Sequence, residues 1–138
     1  VHASGGQKML EESVAATMNT DIKIFGVTTL TSLSDTDTNF IYKREAKEQV
    51  LAMIELAKKS SIHGVVCSPQ ELSLVKNNSN LLTITPGIRL KSLDDDQTRV
   101  MTPKEAIDNG SDFLVIGRPI TASNNIKDSL KEIYDSIQ

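Results

Sequence analysis

Leu82-Thr83-Ile84-Thr85-Pro86-Gly87-Ile88-Arg89 and, one loop and one short helix later, Phe113-Leu114-Val115-Ile116-Gly117-Arg118-Pro119-Ile120-Thr121 decide how this chain reads. Each is a short apolar, β-branched run that stops at a glycine and an arginine. Such runs form buried strands. Glycine lets backbone approach a ligand closely. Arginine offers a planar fork of donors that matches phosphate oxygens. Two consecutive strand–helix units ending this way point to a phosphorylated small molecule held at one end of a sheet.

Working outward, strands and helices alternate along the whole chain. Val1-His2-Ala3-Ser4-Gly5-Gly6 reads as the tail of a strand and a turn, so the chain is expected to be a piece of a longer one. Residues 7–18 read as a helix and 22–30 as a strand, with Thr28, Thr29, Thr31 and Ser32 carrying hydroxyls to its C-terminal end. Residues 33–42, rich in Thr and Asp without periodicity, read as a polar loop. Residues 44–60 give the clearest helix, because Ala46, Val50, Met53, Ile54 and Ala57 recur at spacings of three and four. Gly64-Val65-Val66-Cys67 is a short buried-type strand. Ser68-Pro69-Gln70-Glu71 and Thr102-Pro103-Lys104-Glu105 both have the form of a capping box and start helices, the second ending near Gly110. Residues 125–137 form the last helix, with Ile126, Leu130, Ile133 and Ile137 on one side.

A strand tail, a helix and four strand–helix pairs imply a parallel sheet covered by helices. The expectation is α/β: a (β/α)8 TIM barrel of which residues 1–138 carry strands 4 (its tail) to 8 with their helices, as one unit. The paired Gly-Arg ends resemble the phosphate grip that such barrels build after strands seven and eight. About five-eighths of a barrel leaves two open edges, so the piece should need its remaining strands, covalently or from another chain.

With 138 residues, 38% apolar content and 24% charge, the chain has the makings of one domain with a sizeable core. A net charge of −3 argues against broad binding to nucleic acid or an anionic membrane. The single Cys67 excludes an intrachain disulfide and a multi-cysteine metal site, and fits the cytoplasm. No apolar run approaches the roughly 20 residues of a membrane span.

Arg118, with Gly117 clearing the approach, is the foremost candidate ligand; the plain alternative is a surface arginine after a strand. Arg89 has the same form at the start of a long loop. Gln97 lies in the polar stretch Leu90 to Val100, which reads as a lid or as a solvated charge run. Asp94, Asp95 and Asp96 are consecutive and lack partners at metal-ligand spacing. Thr31 and Ser32 read equally as ligand contacts or as a helix cap. His2 falls at a strand's C-terminal end, while His63 precedes its strand and reads as structural. Cys67 reads as core. No P-loop is present.

These residues together resemble orotidine 5′-phosphate decarboxylases, in their C-terminal part. The matching stretches are Val1-His2-Ala3-Ser4-Gly5-Gly6, Gly26-Val27-Thr28-Thr29-Leu30-Thr31-Ser32, Gly64-Val65-Val66-Cys67-Ser68-Pro69-Gln70-Glu71, Thr85-Pro86-Gly87-Ile88-Arg89, Asp96-Gln97-Thr98-Arg99-Val100-Met101-Thr102-Pro103 and Val115-Ile116-Gly117-Arg118-Pro119-Ile120-Thr121. The resemblance implies conversion of orotidine 5′-phosphate to UMP in pyrimidine synthesis. It further implies that Gly117 and Arg118 hold the 5′-phosphate, that Arg89 lines the same region, that Gln97 sits in the closing loop and that Thr31 contacts the nucleotide. It implies no metal or organic cofactor, and a homodimer in which each site borrows an aspartate from its neighbour.

One departure stands out. The family's Lys-Asp-Lys-Asp array, much of it in a D-x-K-x-x-D-I-P-N-T stretch, has no counterpart in these residues. Asp21-Ile22-Lys23 mimics its start, yet nothing similar follows and it opens a strand at the opposite mouth. Two other readings remain: a sister sugar-phosphate decarboxylase or aldolase barrel, which would usually need magnesium, or a non-catalytic phosphate-binding half of a split barrel.

Overall fold

The computed structural model describes residues 1–90 and 100–138. Four strands, β1 (Phe25–Val27), β2 (Gly64–Val66), β3 (Leu82–Thr85) and β4 (Phe113–Leu114), form a parallel sheet in the order β1-β2-β3-β4. Their register pairs Val27 with Val66, Val66 with Ile84, and Thr85 with Leu114. On the far side of β1, His2 bridges Val27 in parallel and the Val27 amide donates to Val1 O at 2.7 Å. The expected strand tail is therefore present, as a fifth parallel segment. Seven helices connect the strands among the described residues: α1 (Gln7–Ala15), α2 (Asp35–Tyr42), α3 (Ala46–Lys59), α4 (Leu72–Asn78), α5 (Pro103–Asp108), α6 (Arg118–Thr121) and α7 (Ile126–Ser136). None is long and apolar enough to cross a membrane.

The strands are shorter than their apolar runs, because a ladder extends only as far as both neighbours stay extended. The run over 22–30 pairs only at Phe25–Val27. Below it, the Ile24 amide donates to His63 Nδ1 at 2.9 Å, so a side chain takes over from the backbone ladder. His63 is structural, as its position before β2 suggests. The run from Phe113 to Thr121 is not one extended segment: it pairs at Phe113–Leu114 and turns into α6 at Arg118, with Gly117 as the N-cap.

The sheet is curved. Phe25 and Phe113 lie on the first and last strands, yet their rings meet edge to face at 6.0 Å. Gly64 lies on the same concave side, where an added Cβ would come within 2.5 Å of the Phe25 ring. The opposite, convex face carries the core. Val65 and Cys67 pack there with Val50, Ile54 and Ala57 of α3 and with Leu72 and Val75 of α4. The apolar stripe read in α3 is the face it buries.

Residues 33–42 contradict the expectation of a loop, since α2 occupies most of them. Ser34 caps it: the Asp37 amide donates to Ser34 Oγ at 3.2 Å and the Ser34 amide donates to Asp37 Oδ2 at 3.0 Å. The Ser34 hydroxyl, donating to Asp37 Oδ2 at 2.6 Å, and then the Ser34 amide hold the Asp37 carboxyl below its ordinary pKa. The helix buries only Thr38, so no apolar stripe announced it. Its end caps sustain it instead. The Thr102 box forms as expected before α5. Ser68 begins with a 3₁₀ turn, Pro69–Glu71, before α4 follows, and its amide donates to Glu71 Oε2 at 3.0 Å.

Candidate functional site at the C-terminal rim

In a parallel sheet all C-terminal strand ends open on one side, and that rim is where ligands bind in barrels of this kind. The segments leaving β1, β2, β3 and β4 all emerge there. Thr28 extends the ladder beyond β1: its amide and its hydroxyl both donate to Val66 O, at 3.1 and 2.9 Å. Thr29 follows with a buried hydroxyl that has no hydrogen-bond partner among the described residues. Thr31 is half-buried in the turn that the Leu33 amide closes on Leu30 O at 3.0 Å.

After β3, Gly87 takes φ 81°, a left-handed conformation that a side chain would strain. That turn sends Ile88 into a parallel bridge with Met101. The Arg89 amide donates to Met101 O at 3.0 Å and the Met101 amide donates to Gly87 O at 3.4 Å. Both ends of the polar loop that follows β3 are thus tied together at the rim. Arg89 is half-buried, with Nη1 donating to Ile88 O at 2.9 Å.

After β4, Gly117 lies at φ −99° and ψ −97°, and a Cβ added there would meet nothing within 4 Å. Arg118 is exposed at the first position of α6, not at the end of a longer strand as the apolar run suggested.

Thr85 and Leu114 are paired across β3 and β4. Arg89 lies four residues beyond the first and Arg118 four beyond the second. Adjacent strands stand about 5 Å apart, so the two arginines leave the sheet at comparable height on neighbouring strands. Gly117 accompanies them. Thr31 stands on the same rim two strands away. Gln97 lies outside the described residues, as do Asp94, Asp95 and Asp96.

Other candidates fall elsewhere. Asp21 and Lys23 precede β1 and so lie at the opposite mouth, as their place in the sequence implied. Cys67 is buried on the convex side, and burial, then the charge of Glu71, pushes its thiol up to about 12 against an opposing pull from Lys76. It is core and not a nucleophile. No cluster of three or more His, Cys, Asp or Glu that could hold a metal occurs among the described residues. A groove of about 430 Å³ lies between α2, α3 and α4, lined by Asp35, Ala46, Lys47, Gln70, Glu71 and Leu74. The sequence reading missed it, because one of its walls is the unforeseen α2. The Ser34-x-x-Asp37 spacing was the signal that could have found that wall.

Known proteins agree with this architecture. Residues 1–133 match the model of the Orotidine 5'-phosphate decarboxylase / HUMPS family. An orotidine 5'-phosphate decarboxylase from Wolbachia pipientis subsp. Culex pipiens is 46% identical over 99% of this chain and 62% of its own length. One from Dictyoglomus thermophilum is 41% identical over 100% of the chain and again 62% of its own length. The crystal structure of orotidine 5'-phosphate decarboxylase from Lactobacillus acidophilus superimposes with a TM-score of 0.81 at 33% identity, covering all of this chain and 62% of that one. The chain therefore spans less than two thirds of the relatives it matches, and its curved parallel sheet is part of a TIM barrel. From strand order to rim, and over nearly its full length, this chain belongs to the orotidine 5'-phosphate decarboxylase / HUMPS family.

Proposed function

We propose that residues 1–138 are the C-terminal part of a single barrel domain that converts orotidine 5′-phosphate to UMP, and that they supply its nucleotide grip. The observation that carries this reading is the pairing of Arg89 and Arg118, each four residues past the partnered Thr85 and Leu114 on adjacent strands. Two guanidinium groups there suit one phosphate, each contributing charge-assisted hydrogen bonds. Gly117 leaves room for the phosphate to reach the backbone. Thr31, two strands away, stands about 10 Å along the rim by strand spacing, a reach suited to the nucleoside. Gln97, which falls in sequence between the bridged Ile88 and Met101, is assigned to the phosphate side of the ligand by the family resemblance alone.

The reacting groups of this proposal lie outside the present sequence. The bond between the pyrimidine and its carboxylate breaks, carbon dioxide leaves, and the electron pair stays on the ring carbon. A lysine ammonium of the family's Lys-Asp-Lys-Asp array stabilises that charge and delivers the proton. The phosphate grip contributes binding energy remote from the reacting carbon, used to organise the array. The active form is a cytoplasmic homodimer without metal or organic cofactor, each site taking an aspartate from its partner.

The test is turnover of orotidine 5′-phosphate by the complete barrel, followed by loss of the orotate absorbance, against a panel of sugar phosphates. Turnover of the nucleotide alone supports the reading. Turnover of a sugar phosphate with added magnesium, and none of the nucleotide, replaces it with the sister sugar-phosphate activity.

A further inference from the structure

Among the described residues, β3 and β4 share the shortest ladder of the sheet. Ile84 pairs with Phe113 and Thr85 with Leu114, and the Val115 amide adds one bond to Thr85 O at 2.9 Å. β1 with β2 and β2 with β3 each pair over three positions. A short ladder resists slippage weakly. One residue of slip carries a strand about 3.3 Å along its neighbour and turns its side chains to the other face. The alignment of β4 on β3 matters here, because it sets where Arg118 stands relative to Arg89.

Side chains make the rung before that ladder. Carrying the register back by one position sets Thr83 opposite Asp112. There the Thr83 amide donates to Asp112 Oδ2 at 2.7 Å, and the Asp112 amide donates to Thr83 Oγ1 at 3.1 Å. The Thr83 hydroxyl donates in turn to Asp112 Oδ2 at 2.9 Å. Each backbone amide therefore finds its acceptor on the facing side chain. Lys76 of α4 holds the carboxylate from a third direction, its Nζ donating to the same Oδ2 at 2.7 Å and to Leu81 O at 3.3 Å. Thr83 and Asp112 each stand six residues before the arginine of their own strand, Arg89 and Arg118.

We infer that Asp112, clamped by Thr83 and Lys76, is a positioning residue for the anion grip: it pins β4 to β3 in the register that brings Arg89 and Arg118 to one phosphate. The inference rests on the phosphate reading above and deepens it by naming what sets the spacing of the two guanidinium groups. Bonds from two arginines to one anion need matched positions, because hydrogen bonds weaken steeply with distance and angle. The clamp is specific to one register. A slip of one residue would set Ser111 or Phe113 opposite Thr83, and neither carries a carboxylate to take the Thr83 amide and the Lys76 ammonium together. Backbone carbonyls recur at every position and do not discriminate in this way. The neighbouring bond of 2.6 Å between Thr85 Oγ1 and Ser111 Oγ, which is buried, ties the same two segments a second time.

The test measures, by calorimetry on the complete barrel, the affinity for UMP relative to uridine, and for ribose 5-phosphate relative to ribose. Asp112→Ala should lower both ratios about tenfold, the phosphorylated ligand weakening while its unphosphorylated counterpart holds. Asp112→Asn keeps an oxygen for the Thr83 amide and should restore the ratios to within about threefold of the unaltered protein. Ile54→Ala, in the α3 core, should destabilise the fold and leave the ratios alone. Where Asp112→Ala does not fold, Thr83→Val carries the test. It keeps the side chain's shape, removes the hydroxyl that accepts from the Asp112 amide, and should lower the ratios about threefold. Unchanged ratios in the folded variant overturn the inference. So do equal losses for phosphorylated and unphosphorylated ligands, an Asn variant as impaired as Ala, or the same fall in Ile54→Ala. The two readings separate cleanly. A barrel that leaves orotidine 5′-phosphate untouched, yet selectively loses ribose 5-phosphate in Asp112→Ala, refutes the proposed activity and keeps the clamp. Turnover of orotidine 5′-phosphate with both ratios unaltered in that variant does the reverse.

Discussion

The middle of the sheet and its β4 end are built from the same kind of sequence and finish in opposite conditions. In α3, the residues of the apolar stripe are all buried, with Val50, Ile54 and Ala57 at 0% exposure. In α7, an equally regular stripe buries Ile133 and leaves Ile126 and Leu130 about half exposed. The expectation of a last helix over 125–137 with Ile126, Leu130, Ile133 and Ile137 on one side was right about the element, and its period carried nothing about burial. Periodicity reports which side of a helix is apolar. It does not report whether anything stands opposite. For α3 the opposite surface is β2 with α4, whereas α7 meets the short helices α5 and α6.

The sharpest way to break this comparison is a matched pair of truncations. Ile54→Ala, in the closed core, should cost about 3–4 kcal/mol in urea unfolding. Leu130→Ala, about half exposed, should cost under about 1 kcal/mol in the chain alone, since little apolar area is lost from the interior. Equal losses would show that the two ends do not differ in packing. Next in size is the rim at the β4 end. Arg118→Ala in the complete barrel should lower kcat/KM about 100-fold, close to the 2–3 kcal/mol of a charge-assisted contact. Arg89→Ala, whose guanidinium is partly engaged with the Ile88 carbonyl, should lose about tenfold. Unchanged kcat/KM in both would remove the phosphate grip.

Ser34→Ala sharpens the comparison from a third side, because α2 owes its existence to capping and not to burial. It should destabilise the fold by about 1 kcal/mol in urea unfolding and shorten amide protection over Asp35–Tyr42, while α3 keeps its own. The smallest effect belongs to the clip joining the two regions. Lys76 Nζ and the Thr83 amide both donate to Asp112 Oδ2 at 2.7 Å, tying α4 and β3 to the turn before β4. Burial pushes the Asp112 carboxyl up, but the hydrogen bonds from Lys76 and Thr83 outweigh it and its pKa falls below the ordinary value. A carboxyl lowered in the folded state stabilises the fold above its unfolded pKa, and that share fades as pH drops through the folded value. Stability should therefore decline on acidification below about pH 4, and Asp112→Asn should flatten that decline. An unaltered acid limb in the variant would assign the decline to other carboxylates.

How legible each part was follows from how local its cause is. The capping boxes at Ser68 and Thr102 announced helix starts because the bonding partners are three residues apart. Ser34 and Asp37 offered the same spacing, yet went unread beside a segment without an apolar stripe. Strand length was overestimated over 22–30, since the ladder there is limited by a neighbour some 40 residues away. The rim residues were legible as Gly-Arg strand ends. That Arg118 starts a helix, and that Ile88 and Met101 tie the loop between them, was not.

By itself the sequence determined the alternation of strands and helices, the apolar side of α3, the family and the residues fit to hold an anion. Those follow from local spacing and from side-chain chemistry. Tertiary structure alone decided that Arg89 and Arg118 leave adjacent strands on one rim, that Phe25 meets Phe113 across a curved sheet, and that β4 pairs only with β3 among the described residues. Each depends on strand pairing between distant segments, and pairing is a property of two partners that neither carries in its own pattern.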